Sequence, residues 1–397
     1  MELARAHRVS WKIEEIVKAL IVGGGIIGAS CAWRLASQGV EVTVLERARL
    51  GQEASWAAAG LIGPQGEADK PGPFFDLCMA GKESFDRSVE RLAKESGVDP
   101  EYDRKGMLYV AFSEHEAGEL TARVRWQRAA GAIAEELTPA QARKLAPALS
   151  PKLTAALHLP TNWRTDNRKL TQAYIAAASR AGVQFREGVR VDAIASNDAR
   201  ATGVVTHDGE SIEADVIVNA AGSWASELRG LEADRIRFFP VRGQIICFET
   251  PPGVVEPSLF SARGILVPRR DGRLLAGSVF EEAGFNKTLT LGGMTHVLRA
   301  ASEMIPSLSE IPFREAWAGL RPAVDDLMPV IGWSPTLPGV LYACGHFRSG
   351  ILLSSLTGEL IADLVHERMP RIDLTPFSPA RFRGGVAKVS LKVKSVV

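Results

Sequence analysis

Lys18-Ala19-Leu20-Ile21-Val22-Gly23-Gly24-Gly25-Ile26-Ile27-Gly28, continuing as ASCAWRLASQGVEVTVLE to Glu46, is the stretch that decides the fold. Ala19–Val22 reads as a short apolar strand, Ile26–Gln38 as a helix stopped by Gly39, and Val40–Leu45 as a second strand. A β–α–β unit with so tight a connection predicts parallel strands. The intervening glycines fit GxGxxG. Gly23 permits the sharp turn, Gly25 lets backbone approach a pyrophosphate, and Gly28 lets helix and strand pack closely. The N–H groups and positive dipole end of the helix would then bind the phosphates. Glu46 closes the second strand at the spacing from which a carboxylate accepts hydrogen bonds from an adenosine ribose. A glycine-rich turn by itself often has only a steric purpose, and Glu46 by itself could be a solvated charge beside Arg47 and Arg49. The three features together favour a dinucleotide site.

Outward from this unit, Asp166 is placed to cap a helix with Leu170, Ala173, Tyr174, Ala177, Ala178 and Ala181 on one apolar face, ended by Gly182. Short strands follow at Val189–Ile194, Ala201–Thr206 and Glu210–Glu213, with Asp208-Gly209 as a hairpin signal. Val216–Asn219 reads as a buried strand, and Phe238–Val279 is β-rich. The chain closes with a strand at Val340–Ala343, a glycine-containing turn, and a helix from Gly350 to about Glu367. The first residues, MELARAHRVSWKIEE, read as a short helical arm or a mis-assigned start and carry no functional assignment. The tail beyond Phe382 reads as a frayed end or an added edge strand.

Bulk properties narrow the function class. The 397 residues allow two domains or one large fold with a second layer. Lys plus Arg (47) nearly cancel Asp plus Glu (46), so no field draws the chain to nucleic acid or an anionic membrane. No apolar run is long enough for a transmembrane helix. Cys31, Cys78, Cys247 and Cys344 are scattered, which argues against zinc, iron–sulfur or disulfide frameworks and fits a reducing cytoplasm.

The size of the dinucleotide is a separate question. DVIVNAAG (Asp215–Gly222) is a second strand ending in small residues, and LYACGHFRSG (Leu341–Gly350) is a third strand end leading into the last helix. A long dinucleotide crossing one sheet needs several such close backbone approaches, which favours FAD over NAD. Small residues that merely let helices pack on strands are the simpler alternative for either turn taken singly.

The residues that carry a family resemblance run through nearly the whole chain. They are Ala19–Pro64, VIVNAAGSWASEL (Val216–Leu228), FPVRGQI (Phe239–Ile245), VPRRDGRLLAGSV (Val267–Val279), AWAGLRPAVDDLMPVIG (Ala316–Gly332) and GVLYACGHFRSGILLSSLTGELIADL (Gly339–Leu364). In this order they resemble the D-amino-acid oxidase-like FAD-dependent oxidoreductases, most closely glycine oxidase. The resemblance implies an α/β fold with an FAD-binding Rossmann-like domain of the glutathione-reductase type, from residues 16–85, 165–235 and 322–376. An interleaved, mostly antiparallel α+β substrate domain would come from 86–164 and 236–321, with 1–15 and 384–397 as terminal extensions. It implies noncovalent FAD, because no cysteine lies near GLRP. The implied cofactor shell is Gly23, Gly25, Ile26, Ile27, Gly28, Glu46, Arg47, Ser55, Ala58, Gly60, Ala221, Gly222, Trp224, Gly345, His346, Arg348, Ser349, Gly350, Ile351 and Leu352.

At the reacting end, Arg321 of GLRP matches the family position that binds the substrate carboxylate, a task for which a guanidinium fork suits both oxygens. Its alternative is an inter-domain salt bridge. Arg348 would supply charge near the substrate or the reduced flavin, whose negative charge the start of the last helix would also stabilise. His346 reads equally as a structural histidine. Phe280 and Trp317 are candidate cavity walls, with core packing, the more frequent fate of aromatic residues at strand ends, as the alternative. Ile265 stands where glycine oxidases carry a tyrosine, so Arg263 would have to compensate, or the pocket suits a bulkier or N-alkylated substrate. Hydride transfer from the α carbon to flavin N5 requires placement and a neutral amine, and no catalytic base is expected.

The implied activity is oxidation of a small amino acid or amine of the glycine, sarcosine or D-amino-acid class, with O2 as acceptor and H2O2 as product. The imine would hydrolyse or pass to thiazole synthesis in a thiamine pathway. A dehydrogenase acting on amino or hydroxy acids, or a flavoprotein subunit relaying electrons to a partner, remains open, as does a homo-oligomer. No nucleic acid, membrane or metal partner is expected.

Overall fold

The computed structural model describes residues 16–251 and 253–389. The arm reading of the first fifteen residues and most of the edge-strand reading of the tail lie outside them. The opening unit folds as Lys18–Val22, helix Ile26–Ala36 and Glu41–Glu46, its strands parallel with Ile21 opposite Val44. It sits at the centre of a six-stranded sheet. The order is Val330–Trp333, Val340–Cys344, Val216–Asn219, Lys18–Val22, Glu41–Glu46, Gln184–Glu187. All pairings are parallel except the antiparallel edge strand Val330–Trp333. Such a sheet must be covered on both faces. One face packs the helices Ile26–Ala36, Pro73–Ser96, Asn167–Arg180 and Gly350–Val365 around Trp33, Phe85, Tyr174, Leu356 and Leu360. The other meets a three-stranded antiparallel sheet that includes the hairpin turning at Asp208-Gly209.

The helix Asn167–Arg180 is capped as expected: the Asp166 carboxylate accepts the N–H groups of Arg168 and Lys169. Three long helices have no counterpart among the sequence expectations, Pro73–Ser96, Glu114–Ala129 and Leu291–Met304. Gly81 interrupts the apolar face of the first, and the tertiary packing explains it. A Cβ there would fall 2.8 Å from Leu353 Cδ2.

The second sheet has eight strands. In order they are Phe313–Ala323, Phe239–Glu249, Arg273–Gly277, Ile265–Pro268, Ser258–Phe260, Met107–Ala111, Ala155–Leu159 and Glu135–Leu137. Every junction is antiparallel except the parallel pairing of Ser258–Phe260 with Met107–Ala111. It packs on helix Leu291–Met304 around its own core of Leu108, Ile246, Leu266, Leu274 and Val297. The fold is thus α/β, a Rossmann-like parallel sheet joined to a mostly antiparallel one. No helix among the described residues is long and apolar enough to cross a membrane.

Candidate active site

The glycine turn is built around close backbone approach. Gly23 has φ +109°, and a Cβ on it would lie 2.4 Å from the Ala220 carbonyl oxygen, so the first strand and Val216–Asn219 can converge only on a glycine. Gly25 is the N-cap of the following helix and offers no side-chain cap. The Ile26 N–H is taken by Ser55 Oγ at 2.9 Å, and the N-terminus otherwise faces the cavity. Glu46 is 8% exposed and accepts Gly24 N–H at 2.8 Å and Ala48 N–H at 2.9 Å. Those bonds orient the carboxylate and leave it lone pairs for a ligand. Beside it the Arg47 guanidinium lies 3.5 Å over the Trp224 ring.

Two further strand ends meet this turn. Gly222 has φ +56°, with nothing within 4 Å of a built Cβ, and Gly345 has φ +70° at the turn before helix Gly350–Val365. In that turn His346 is 2% exposed, its Nε2 3.0 Å from Thr357 Oγ1, and burial pushes its pKa down to about 3. It is therefore a neutral imidazole. Cys344 lines the cavity as a thiol: burial pushes its pKa up to about 12, and Sγ donates to the Asn219 carbonyl at 2.9 Å.

At the opposite end Arg321, on strand Phe313–Ala323, faces the cavity. Its Nη1 donates to the Val279 carbonyl at 3.0 Å and its Nη2 to Ser278 Oγ at 2.6 Å. Among the described residues no carboxylate lies within ion-pair distance. Burial, and next the nearby Arg348, push its pKa down to about 10. Arg321 stands 4.5 Å over the Phe280 ring and Arg348 5.8 Å from it. Arg348 is paired: its Nε is 3.1 Å from Glu67 Oε2, and its Nη2 donates to the Gly66 carbonyl. Ile265 contributes an apolar wall. Arg263 also reaches the cavity, but its guanidinium is held by Glu116 at 3.0 Å and by Glu303.

These groups line one continuous cavity of about 750 Å³, the size of a cofactor or drug-sized site. Of the sequence-expected residues, Gly23, Gly25, Ile26, Ile27, Glu46, Arg47, Ser55, Ala58, Gly60, Ala221, Gly222, Trp224, Ile265, Phe280 and Arg263 line it. So do Arg321, Gly345, His346, Arg348, Gly350 and Ile351. Gly28, Ser349 and Leu352 stand behind the wall. A Cβ on Gly28 would meet the Gly23 carbonyl at 2.0 Å, Ser349 Oγ donates to the His346 carbonyl, and Leu352 is fully buried. Of the two readings of Trp317, core packing is the one the structure shows. Its Nε1 donates to the Ala57 carbonyl and its ring packs edge-on against Trp56. Sequence reasoning missed Glu67 and Ser278, neither of which carries a local signal.

The residues present fit a long dinucleotide. An uncapped helix N-terminus and an oriented acid sit at one end, and glycine-bordered strand ends without obstructing Cβ atoms line the middle. At its far end the same cavity carries Arg321, a cation without an acid partner among the described residues.

Comparison with known proteins agrees with this geometry. The family model described as FAD dependent oxidoreductase (DAO) matches residues 18–364. Glycine oxidase of Geobacillus kaustophilus is 32% identical over 368 residues, covering 92% of this chain and 97% of that protein. The bifunctional protein ThiO/ThiG of Synechocystis sp. is 36% identical over 370 residues, covering 91% of this chain, which spans about half (54%) of that relative's length. A crystal structure of glycine oxidase from Geobacillus kaustophilus superposes with a TM-score of 0.88 at 31% identity, over 92% of this chain and 99% of that one. On this extent of agreement, the chain belongs to the DAO family of FAD-dependent oxidoreductases.

Proposed function

We propose that the protein oxidises the CH–NH group of a small amino acid of the glycine, sarcosine or D-amino-acid class, with O2 as electron acceptor. The observation that carries this reading is Arg321, a half-buried guanidinium that, among the described residues, has no acid partner and lines the cavity beyond the dinucleotide turn. An uncompensated buried cation is costly and is retained where a ligand supplies the opposite charge. The Gly23–Ile27 turn, Glu46, the Ala221–Gly222 turn and the Gly345–Ile351 turn would hold the flavin, which when bound accepts a hydride from the substrate carbon.

The chain's own residues place the substrate. The Val279 carbonyl takes one N–H of Arg321 Nη1 and Ser278 Oγ one of Nη2, which orients the guanidinium and leaves its remaining donors for a carboxylate. Phe280 and Ile265 exclude water from the carbon that reacts. The amine must lose its proton to solvent before oxidation, and no base is assigned. The product imine hydrolyses to a 2-oxo acid and an amine or ammonia, while O2 takes the two electrons and becomes H2O2.

Ile265 offers an apolar contact that glycine does not use. A methyl or ring in such a pocket is worth about 1–3 kcal/mol, so sarcosine, D-alanine or D-proline should exceed glycine in kcat/KM. The test is anaerobic addition of these four compounds to the flavin-loaded protein while its visible absorption is followed, then aeration with a peroxide assay. No bleaching with any of them would remove the substrate class. Bleaching without oxygen uptake would replace O2 with another acceptor.

A further inference from the structure

Two guanidiniums flank Phe280 at the reacting end, and their charges are balanced differently. Arg321 donates only to the uncharged oxygens of Ser278 and Val279. Arg348 is paired with Glu67 and also bonds the Gly66 carbonyl. The pKa directions agree with the geometry. Burial drives Arg321 down, whereas for Arg348 burial is outweighed by Glu67 and then Asp69, which hold it above its ordinary value. Nor is Glu67 free to swing away. Its segment is clamped from helix Glu114–Ala129, where Arg123 Nη1 donates to the Gln65 and Ala68 carbonyls at 2.9 and 2.8 Å. Gln127 exchanges hydrogen bonds with Gln65 in the same place.

We propose that Glu67 is a specificity-determining residue: by occupying Arg348 it leaves the pocket one uncompensated positive charge, so the site accepts amino acids with one carboxylate and refuses those with two. A second carboxylate would have to approach Arg348 against the Glu67 anion, and discrimination of this kind rests on the repulsive element as much as on the attractive one. This rests on Arg321 being the carboxylate anchor.

The test uses the flavin-loaded protein and non-oxidisable acids, acetate against malonate and succinate, titrated by perturbation of the flavin spectrum. Wild type should bind acetate at least about tenfold more tightly than either dianion, and Glu67→Gln should cut that preference by about tenfold or invert it. Arg348→Gln alone, which leaves Glu67 bare, should weaken acetate. The double variant Glu67→Gln/Arg348→Gln restores the single positive charge, so acetate binding should return to within about threefold of wild type while the dianions stay weak.

Wild-type binding of malonate or succinate as tight as acetate overturns the proposal. So does a parallel change for mono- and dianions in Glu67→Gln, or failure of the double variant to recover acetate. Should Glu67→Gln not retain flavin, the wild-type preference for acetate over malonate and succinate decides. Failure of the underlying anchor is seen separately, as acetate affinity that Arg321→Ala leaves unchanged.

Discussion

The Phe347 N–H donates to the Pro322 carbonyl at 2.8 Å, tying the turn before the last helix to the strand end that carries Arg321. Arg321 and Arg348 each stand one residue from this bond, so it fixes the proposed carboxylate anchor relative to the turn proposed to face the flavin. Misplacing either by a fraction of an ångström would degrade the alignment that hydride transfer needs.

Replacing Arg321 should therefore hit catalysis and spare the cofactor. Arg321→Ala is expected to cost about 2–5 kcal/mol in kcat/KM, and Arg321→Lys most of that, because an ammonium cannot hold both carboxylate oxygens. The flavin spectrum and bound stoichiometry should be unchanged. An Arg321→Lys enzyme close to wild type would refute two-point anchoring.

Gly23→Ala combines a strained φ of +109° with a Cβ 2.4 Å from the Ala220 carbonyl oxygen. The expected result is loss of flavin from the purified protein and a stability loss of more than about 1–3 kcal/mol. Gly39→Ala is the control. Its φ is +87° but nothing lies within 4 Å of the new Cβ, so it should lower Tm slightly and leave flavin affinity intact.

Arg269 is a strut between the two sheets. Its Nη1 donates to the Thr165 carbonyl, and its Nη2 to the Ala59 carbonyl and to Asn167 Oδ1, with Asp166 3.8 Å from Nε. Burial pushes its pKa down to about 10, against the pull of Asp166. Arg269→Ala leaves the Thr165 and Ala59 carbonyls and Asn167 Oδ1 without this donor, while Asp166 keeps Arg273 at 3.0 Å, and should cost about 1–3 kcal/mol of stability by denaturant unfolding. Arg269→Lys should recover only part of it.

His346 is expected to contribute acid sensitivity. Its folded pKa of about 3 lies below the ordinary value of 6.5. Between these values the unfolded chain binds a proton that the folded chain does not. Stability therefore falls as pH drops from 6.5 toward 3, by up to about 1.4 kcal/mol per pH unit from this group. His346→Gln should flatten the slope of Tm against pH between 6.5 and 4.5 relative to wild type, with little change above 7. Equal slopes in the two proteins would show that carboxylates alone govern the acid limb.

Much of the fold is legible in the chain because its determinants are local. The period of apolar residues marks Ile26–Ala36 and Asn167–Arg180, Asp166 marks a cap, and Gly23 marks a turn that only glycine can make. The same holds for the dinucleotide turn, whereas Arg321 as a candidate anchor comes from the resemblance carried by GLRP. Charge state and cavity exposure are through-space properties. That Arg348 is neutralised by Glu67, 281 residues away in sequence, that Arg263 is taken by Glu116 and Glu303, and that Trp317 packs on Trp56 instead of walling the cavity depend on which distant segments the two sheets bring together. Coulomb energy and desolvation follow distance in space and not separation along the chain. The sequence alone therefore specified which arginines were available, and only the folded structure decided which of them keeps a charge to offer.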